Sequence, residues 1–303
     1  MPSRHSTLTL ADLENWPDAH VGVGLFGFPV SHSLSPVIHG AALADLATRE
    51  APFAAWRYAK FEIAPEDLGA ALRRAHAKGF RGLNLTIPHK EAVLAHVESA
   101  DDFSRAASAA NTLVRTPTGW RATNTDGGGM IDALRADLGV GLRGRDVILL
   151  GAGGAARAAA LQCLLEGVCS LWIGNRGRAR LAALLAHLAP LTGGTPVQGF
   201  SFDQPDELLP AGAVVINATA AGLAKDGAAP VDLRKMPRPA VVFEMAYNPP
   251  VTALLRDAAA LGLPHANGLG MLAHQGARSL ALWTERPIDA GIMRAALRGG
   301  GFI

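Results

Sequence analysis

The sequence predicts an α/β protein of two domains, the second a doubly wound parallel sheet. Three observations lead there. The chain has 303 residues, and at roughly 100–200 residues per domain two domains are expected. Short apolar runs alternate with stretches whose apolar residues recur every three or four positions, the pattern of parallel strands joined by crossover helices. That alternation runs twice, from about residue 21 to about 120 and again from about residue 127.

In the first half, the apolar runs 21–26, 53–58 and 82–87 read as strands. Segments 35–46, 65–78 and 90–97 read as helices, with Pro36 and Pro65 at helix starts where a missing N–H costs nothing. Residues 1–20 precede this pattern and read as an appended arm. They carry Asp12, Glu14 and Asp18 and no apolar block, unlike a signal peptide. In the second half, a helix over 130–138 leads to a strand over 146–150, a glycine turn and a helix ending at Glu166. Strands follow at 170–173, 196–200, 213–217 and 240–245, and the Ala-, Pro- and Gly-rich piece 222–239 reads as an exposed loop. This unit is complete by about His265, so two last helices, 270–284 and 289–298, are expected to return to the first domain. The first domain is then 1–124 plus 268–303 and the second 125–267.

Composition excludes several classes of function. With 49% hydrophobic and 18% charged residues the chain is not disordered. Its net charge of +2, without a run of five or six basic residues, is too small for a nucleic-acid-binding domain. No stretch of 18 apolar residues exists, so no membrane-spanning helix and a cytoplasmic location are expected. Cys163 and Cys169 form neither a disulfide framework nor a four-ligand zinc site, and read as two buried reduced thiols. The ten histidines include no metal-binding spacing, and no metal is expected.

The segment from Val147 to Arg157 is a strand, a tight turn Gly151-Ala152-Gly153-Gly154-Ala155 and a helix start. Gly151 permits the turn, Gly153 lets backbone approach a pyrophosphate, and the helix start offers free N–H groups and a positive dipole end. The usual G-x-G-x-x-G has become G-x-G-G-A-A. Glycines alone also mark plain turns; the strand before, the helix after and a further strand some 20 residues on make a nucleotide site. At the tip of that next strand an NAD site would carry an acid for the ribose hydroxyls. Here stand Asn175, Arg176, Arg178 and Arg180. Guanidinium groups bind phosphate oxygens through charge-assisted bonds of roughly 1.5–3 kcal/mol each. Two such bonds correspond to a preference for NADP on the order of 10²–10⁴. Alternatively these arginines are a solvated helix start.

The first half holds three clusters of polar residues. Ser33 and Ser35 lie two apart, and so share a face in extended chain. Asn84 and Thr86 share one face of a strand, with Lys90 at the start of the next helix. Asn111-Thr112 and Asn124-Thr125-Asp126-Gly127 complete the set. Such donors and acceptors suit a small, polyhydroxylated, carboxylated ligand. Taken singly, each has a packing explanation: Ser35 as a helix cap ahead of Pro36, Lys90 as a solvated helix residue, Asp126 as an N-cap.

Taken together, Ser33-Leu34-Ser35-Pro36, Asn84 to Lys90, Asn111-Thr112, Asn124 to Gly127, Gly151 to Ala155, Asn175-Arg176 and Gly268 to Gln275 resemble the shikimate dehydrogenase family, in the family's order and over about residues 21–285. The resemblance implies a substrate domain and a Rossmann-type NADP domain, and reversible NADPH-dependent reduction of 3-dehydroshikimate to shikimate, on the way to chorismate and aromatic amino acids. It implies that Ser33 and Ser35 bind the substrate carboxylate, that Thr86, Asn111 and Gln275 hold ring hydroxyls, and that Tyr247 closes over the substrate. Lys90 and Asp126 become the catalytic pair, Asn175, Arg176 and Arg180 the 2′-phosphate clamp, and Met245 and Gly268 neighbours of the nicotinamide. The only partner implied is the small-molecule substrate, for a monomer or homodimer. Two positions depart from the pattern: Gly177 replaces a small hydroxyl residue, and Glu244 stands where Asp is common. A quinate/shikimate or aminoshikimate-type dehydrogenase of the same family is the nearest alternative. A non-catalytic NADP-binding sensor and the nucleotide domain of another dehydrogenase class, such as a methylene-folate enzyme, are the others.

Overall fold

A computed structural model describes residues 6–202, 209–221 and 227–301. The chain divides into two compact units, residues 1–125 with 272–303, and residues 126–271. In the first, β1 (Thr7–Leu8), α1 (Leu10–Glu14), β2 (Val21–Gly27), α2 (Ser35–Arg49), β3 (Trp56–Glu62), α3 (Leu68–Ala77), β4 (Gly82–Leu85), α4 (His89–Ala92), β5 (Ser99–Ala100), α5 (Asp102–Ala107), β6 (Thr112–Arg115) and β7 (Trp120–Thr123) follow one another. The second holds α6 (Asp126–Leu138), β8 (Asp146–Leu150), α7 (Gly154–Glu166), β9 (Ser170–Gly174), α8 (Arg178–Leu188), β10 (Val197–Phe200), β11 (Val214–Asn217), β12 (Val241–Glu244), α9 (Ala253–Ala260) and β13 (His265–Ala266). The helix α10 (Leu269–Thr284) begins in the second unit and from Leu272 belongs to the first, together with α11 (Ala290–Gly299).

The first sheet runs β1-β3-β2-β4-β6-β7-β5. Its β1-β3-β2-β4 part is parallel, as strand–helix alternation requires, whereas β6 pairs antiparallel with both β4 and β7. The hairpin β6–β7 is the departure from an all-parallel sheet. Its turn is closed by Thr116 N–H to the Gly119 carbonyl at 2.9 Å, around Pro117 and Thr118. One face of the sheet packs Phe26, Phe61, Phe80 and Leu83 against Leu68, Ala71 and Leu72 around α3. On the other face His39 of α2 stacks on Tyr58 at 4.0 Å, and Trp283 of α10 donates to the Leu113 carbonyl at 2.9 Å.

Residues 6–20 are not an appended arm, and residues 1–5 lie outside the described residues. β1 adds an edge strand to β3, and Leu13 is fully buried with the Trp16 ring tilted against Phe80 at 4.9 Å between centroids. The reason is local: Thr9 N–H and hydroxyl both reach the Asp12 carboxylate at 2.8 Å, starting α1 and turning Leu13 inward. The strand expected over 53–58 begins at Trp56 and runs on to Glu62, because Pro52 opens a 3₁₀ turn over Ala51–Ala55. The strand over 82–87 stops at Leu85, and the helix over 90–97 is one turn, α4, followed by a 3₁₀ turn over Val93–His96.

The second sheet is wholly parallel, ordered β10-β9-β8-β11-β12-β13, which is 3-2-1-4-5-6 in that unit's own chain order. Its strands are apolar on both faces. Val147 and Leu149 join one core with Ala156, Ala160 and Phe243, while Ile148 and Leu150 join another with Val242 and Leu254. The piece 222–239 is only partly an exposed loop: residues 222–226 lie outside the described residues, but Val231, Leu233 and Met236 are buried in that second core. Of the two thiols only Cys163 is buried, where desolvation pushes its pKa up to about 12; Cys169 is exposed.

Glu244, at the end of β12, is fully buried. Its carboxylate accepts from Asn217 Nδ2 at 2.7 Å, the Thr252 hydroxyl at 3.1 Å and the Ala246 N–H at 3.1 Å. Burial outweighs these bonds and raises its pKa from 4.5 to about 7.

Two outcomes follow from this packing. Leu13→Ala should lower the unfolding free energy by roughly 2–5 kcal/mol, as for any core leucine; urea titration showing no change would restore the arm. For Glu244 the folded state holds its proton more tightly than the unfolded chain, so its stabilisation is full below about 4.5 and is lost as pH rises through about 7. The stability difference between wild type and Glu244→Gln should therefore fall by roughly 1–3 kcal/mol between about pH 5 and pH 8. A difference constant across that range would exclude titration of this carboxyl there.

Candidate active site

The order of the second sheet reverses between β8 and β11, and in such sheets ligands bind beyond the carboxyl ends of the strands at that point. The turn after β8 lies there. Gly151 has φ +120°, a conformation side chains rarely adopt, and a Cβ on it would stand 3.0 Å from the Ala218 carbonyl oxygen. Ala152 is buried and completes the turn, Gly153 caps α7 with open space where a Cβ would be, and Gly154 and Ala155 form the first turn. The first helical bond runs from Arg157 N–H to the Gly153 carbonyl at 2.9 Å, so the N–H groups of that first turn are not used within the helix.

At the tip of β9, Asn175 donates to the Gly177 carbonyl at 2.9 Å, and Arg176, Arg178 and Arg180 are exposed. No acid follows the strand, as Asn175-Arg176-Gly177 stand there instead. Beyond β12, Met245 and Tyr247 are half-buried, and Gly268 donates to the Ala246 carbonyl at 2.9 Å. A Cβ on Gly268 would lie 2.1 Å from the Met245 carbonyl oxygen, so only glycine fits this approach. A turn without side chains, a free helix start, exposed guanidinium groups and no acid form a cradle that fits a dinucleotide bearing an extra phosphate.

In the first unit Asn84, Asn111, Thr112, Thr125 and Gln275 meet at the ends of β4 and β6, whereas Ser33 and Ser35 form a separate pair. The Asn111 amide oxygen accepts from Thr125 N–H at 2.8 Å and from the Thr112 hydroxyl at 2.9 Å, which settles the orientation of the amide. Its NH₂ faces the Thr125 hydroxyl at 3.0 Å and Gln275 Oε1 at 3.4 Å, while Gln275 Nε2 donates to the Leu272 carbonyl at 2.8 Å. Ser33 and Ser35 lie with their hydroxyl oxygens 3.1 Å apart. Ser35 is the first helical residue of α2 and not its cap; the Ser33 hydroxyl accepts the Ser35 N–H at 3.2 Å. Thr86 follows β4 and is half-buried, with its N–H bonded to the Phe26 carbonyl at 3.0 Å. Lys90 lies in α4, and its carbonyl accepts from Ala110 N–H at 2.8 Å, which ties it to the chain beside Asn111. Asp126 is buried at the first position of α6, in the second unit.

Several members of the first-unit cluster carry no motif. Ser279 is fully buried, with its hydroxyl 2.8 Å from that of Thr112 and 3.1 Å from that of Thr125, and it accepts from Asn84 Nδ2 at 3.0 Å. Tyr58 donates to Asn84 Oδ1 at 2.9 Å. Lys60 is buried in β3 beneath the Ser31–Ser35 segment. His39 is a core residue pushed down to about pKa 4 by burial, with Nδ1 donating to the Ser35 carbonyl at 2.9 Å. Ser279 four residues after Gln275 on one helix was the available signal for the first. Extending the strand to Glu62 was the signal for Tyr58 and Lys60, which then share a face. Among the described residues no three His, Cys, Asp or Glu side chains gather to hold a metal, and no helix is long and apolar enough to cross a membrane.

Comparison with known proteins identifies the family. Residues 25–113 match the family model described as the shikimate dehydrogenase substrate binding domain, and residues 268–298 that of the shikimate 5′-dehydrogenase C-terminal domain. The chain is 39% identical over 278 residues to the NADP(+) shikimate dehydrogenase of Citrifermentans bemidjiense, covering 90% of this chain and 93% of that one. Against the enzyme of the same name from Methanocella arvoryzae it is 42% identical over 268 residues, covering 88% and 94%. Its fold matches Thermus thermophilus shikimate 5-dehydrogenase, solved with NADP(H) and shikimate, with a TM-score of 0.80, 33% identity and coverage of 92% and 99%. A 5-ketofructose reductase of Gluconobacter matches with a TM-score of 0.79 and 29% identity, covering 92% and 98%. The chain belongs to the shikimate dehydrogenase family of NADP-dependent oxidoreductases.

Proposed function

We propose that the protein catalyses the reversible, NADPH-dependent reduction of 3-dehydroshikimate to shikimate. The observation that carries the reading is the 39% identity with a curated shikimate dehydrogenase across 90% of the chain. The polar cluster of the first unit supports it, since its hydroxyl and amide groups suit a ring bearing hydroxyls and a carboxylate. NADP(H), when bound, supplies the two-electron hydride chemistry. The groups that would hold it are the Gly151–Ala155 turn with the start of α7, Asn175, Arg176 and Arg180 at the tip of β9, and Met245 with Gly268.

In this reading Ser33 and Ser35 donate to the substrate carboxylate, and Thr86, Asn111 and Gln275 hold the ring hydroxyls. Asn111 comes to that task with its amide already oriented by Thr125 and Thr112, so little ordering is left for binding to impose. Tyr247 adds a further contact to the substrate. As the carbonyl oxygen gains negative charge it needs a proton within hydrogen-bond reach. Lys90 Nζ donates that proton, and in shikimate oxidation the neutral amine takes the hydroxyl proton back. Asp126 holds and orients the Lys90 ammonium.

Oxidation of shikimate, followed through the absorbance of reduced nicotinamide with NADP and NAD in parallel, is the direct test. Quinate in the same direction, and 5-ketofructose in the reductive direction with NADPH, serve as controls. Turnover with shikimate and NADP alone is expected; comparable rates with quinate or NAD would move the protein to another specificity within the family. Lys90→Ala should lower kcat by about 10²–10⁴ while changing the substrate KM far less, because the lost proton acts on transition-state charge. An unchanged kcat would remove Lys90 from the chemistry. Arg176→Ala should raise KM for NADP and leave that for NAD nearly unchanged, and equal losses with both would refute the 2′-phosphate role.

A further inference from the structure

We infer that Lys60 is a specificity-determining residue, the buried positive charge that makes the Ser33–Ser35 segment select a carboxylate over a neutral group. The inference rests on the shikimate reading above and adds to it a residue that no motif marks.

Lys60 lies on β3, in register between Leu25 of β2 and Thr7 of β1, with 4% of its surface exposed. Its side chain is on the face of Tyr58, two residues back, and Tyr58 stacks on His39 of α2. It therefore lies on the side of the sheet that α2 covers. Its ammonium donates to the Ser31 carbonyl. An ammonium has three donors and a full charge, and buried charges are ordinarily paired. Among the described residues no carboxylate pairs with Lys60. Glu62, the acid next along the same face, accepts the Val30 N–H at 3.3 Å instead. Burial alone lowers the Lys60 pKa, with no neighbouring acid to oppose it.

The charge is placed where an anion is expected. Ser31, which Lys60 holds, is two residues before Ser33 and four before Ser35. The two serine hydroxyls are 3.1 Å apart at the start of the 15-residue helix α2, whose first N–H groups bond to Ser33 Oγ and the Leu34 carbonyl, so the helix start contributes its positive dipole end and not free donors. Ammonium, helix start and hydroxyls all favour negative charge, and the first two repel each other until an anion comes between their fields. A carboxylate there gains from all three. A neutral group of the same shape gains only hydrogen bonds.

A rival role is mechanical: Lys60 as a clamp on the Ser31 carbonyl that merely shapes the loop. The two roles separate by ligand charge. A clamp serves an acid and its ester alike, whereas a charge serves only the acid.

The experiment measures the dissociation constants of shikimate and of its methyl ester by titration calorimetry, with the full chain as wild type, Lys60→Gln, Lys60→Met and Lys60→Arg. Gln keeps a donor for Ser31 and loses the charge, so it answers even where Met fails to fold. Each preparation reports the ratio of the two constants, which does not depend on the fraction folded. The preference for shikimate over the ester should fall about ten-fold in the Gln and Met variants, equivalent to about 1.4 kcal/mol, and persist in Arg. A ratio unchanged in Lys60→Gln, with both ligands weakened equally or neither weakened, overturns the inference and leaves the shikimate reading intact. A wild-type chain that neither binds nor oxidises shikimate overturns the reading itself, and the inference with it.

Discussion

The geometry of the first unit depends on a requirement that buried polar groups meet one another. Asn84, Asn111, Thr112, Thr125 and Ser279 are all buried, and each would destabilise the fold if left without a partner. They satisfy one another across β4, β6, the segment after β7 and α10, elements far apart in the chain. A side chain held by two or three such bonds has one orientation, and a missing member leaves the others unpaired in a low-dielectric interior. The same bonds that join these elements therefore also aim the Asn111 amide. Stability and preorganisation are here one set of contacts.

The second unit meets a different constraint. Its strands are buried on both faces, so little polar chemistry is available within the sheet, and chemistry moves to the strand ends. There the backbone itself is the binding group. Gly151 and Gly268 matter by lacking a side chain, and the start of α7 matters by N–H groups that the helix does not use. Glu244 is the exception, a carboxyl buried at the end of β12 that ties Asn217, Ala246 and Thr252 together. The segment carrying Met245 and Tyr247 leaves the sheet from that knot.

The two units were legible in the sequence to different degrees, for physical reasons. Strand 146–150, its glycine turn and the strands after it could be read because parallel buried strands are short apolar runs bounded by turn residues. The string from Asn84 to Lys90 could be read because its polar residues are close in sequence. What stayed hidden depends on distant partners. Ser279 resembles any helix serine until β4 and β6 come beside it. Lys60 lay beyond the end assigned to its strand, since the apolar Phe53 drew the assignment into what is a 3₁₀ turn. Leu13 and Trp16 looked like part of a polar arm because the apolar side chains there, Leu8, Leu10, Leu13 and Trp16, are scattered among polar ones, and the Thr9–Asp12 bonds set the burial. The hairpin β6–β7 was signalled only by Pro117-Thr118-Gly119, a weak mark beside two short strands.

The bond from Trp283 to the Leu113 carbonyl spans 170 residues of chain, and it bears on the order in which a ribosome can complete this protein. The second unit is one continuous stretch, residues 126–271, and every strand of its sheet is available once that stretch has emerged. The first unit is begun earlier but finished later. Until α10 is made, the face of β4 and β6 that Trp283 and Ser279 cover has only water and α2 beside it. Closing that long loop is an entropic cost that α10 must overcome after residues 126–271 have been synthesised. Of these two units, the one whose sequence comes first is thus the later to be sealed, and the nascent chain carries a half-covered sheet until α10 has emerged.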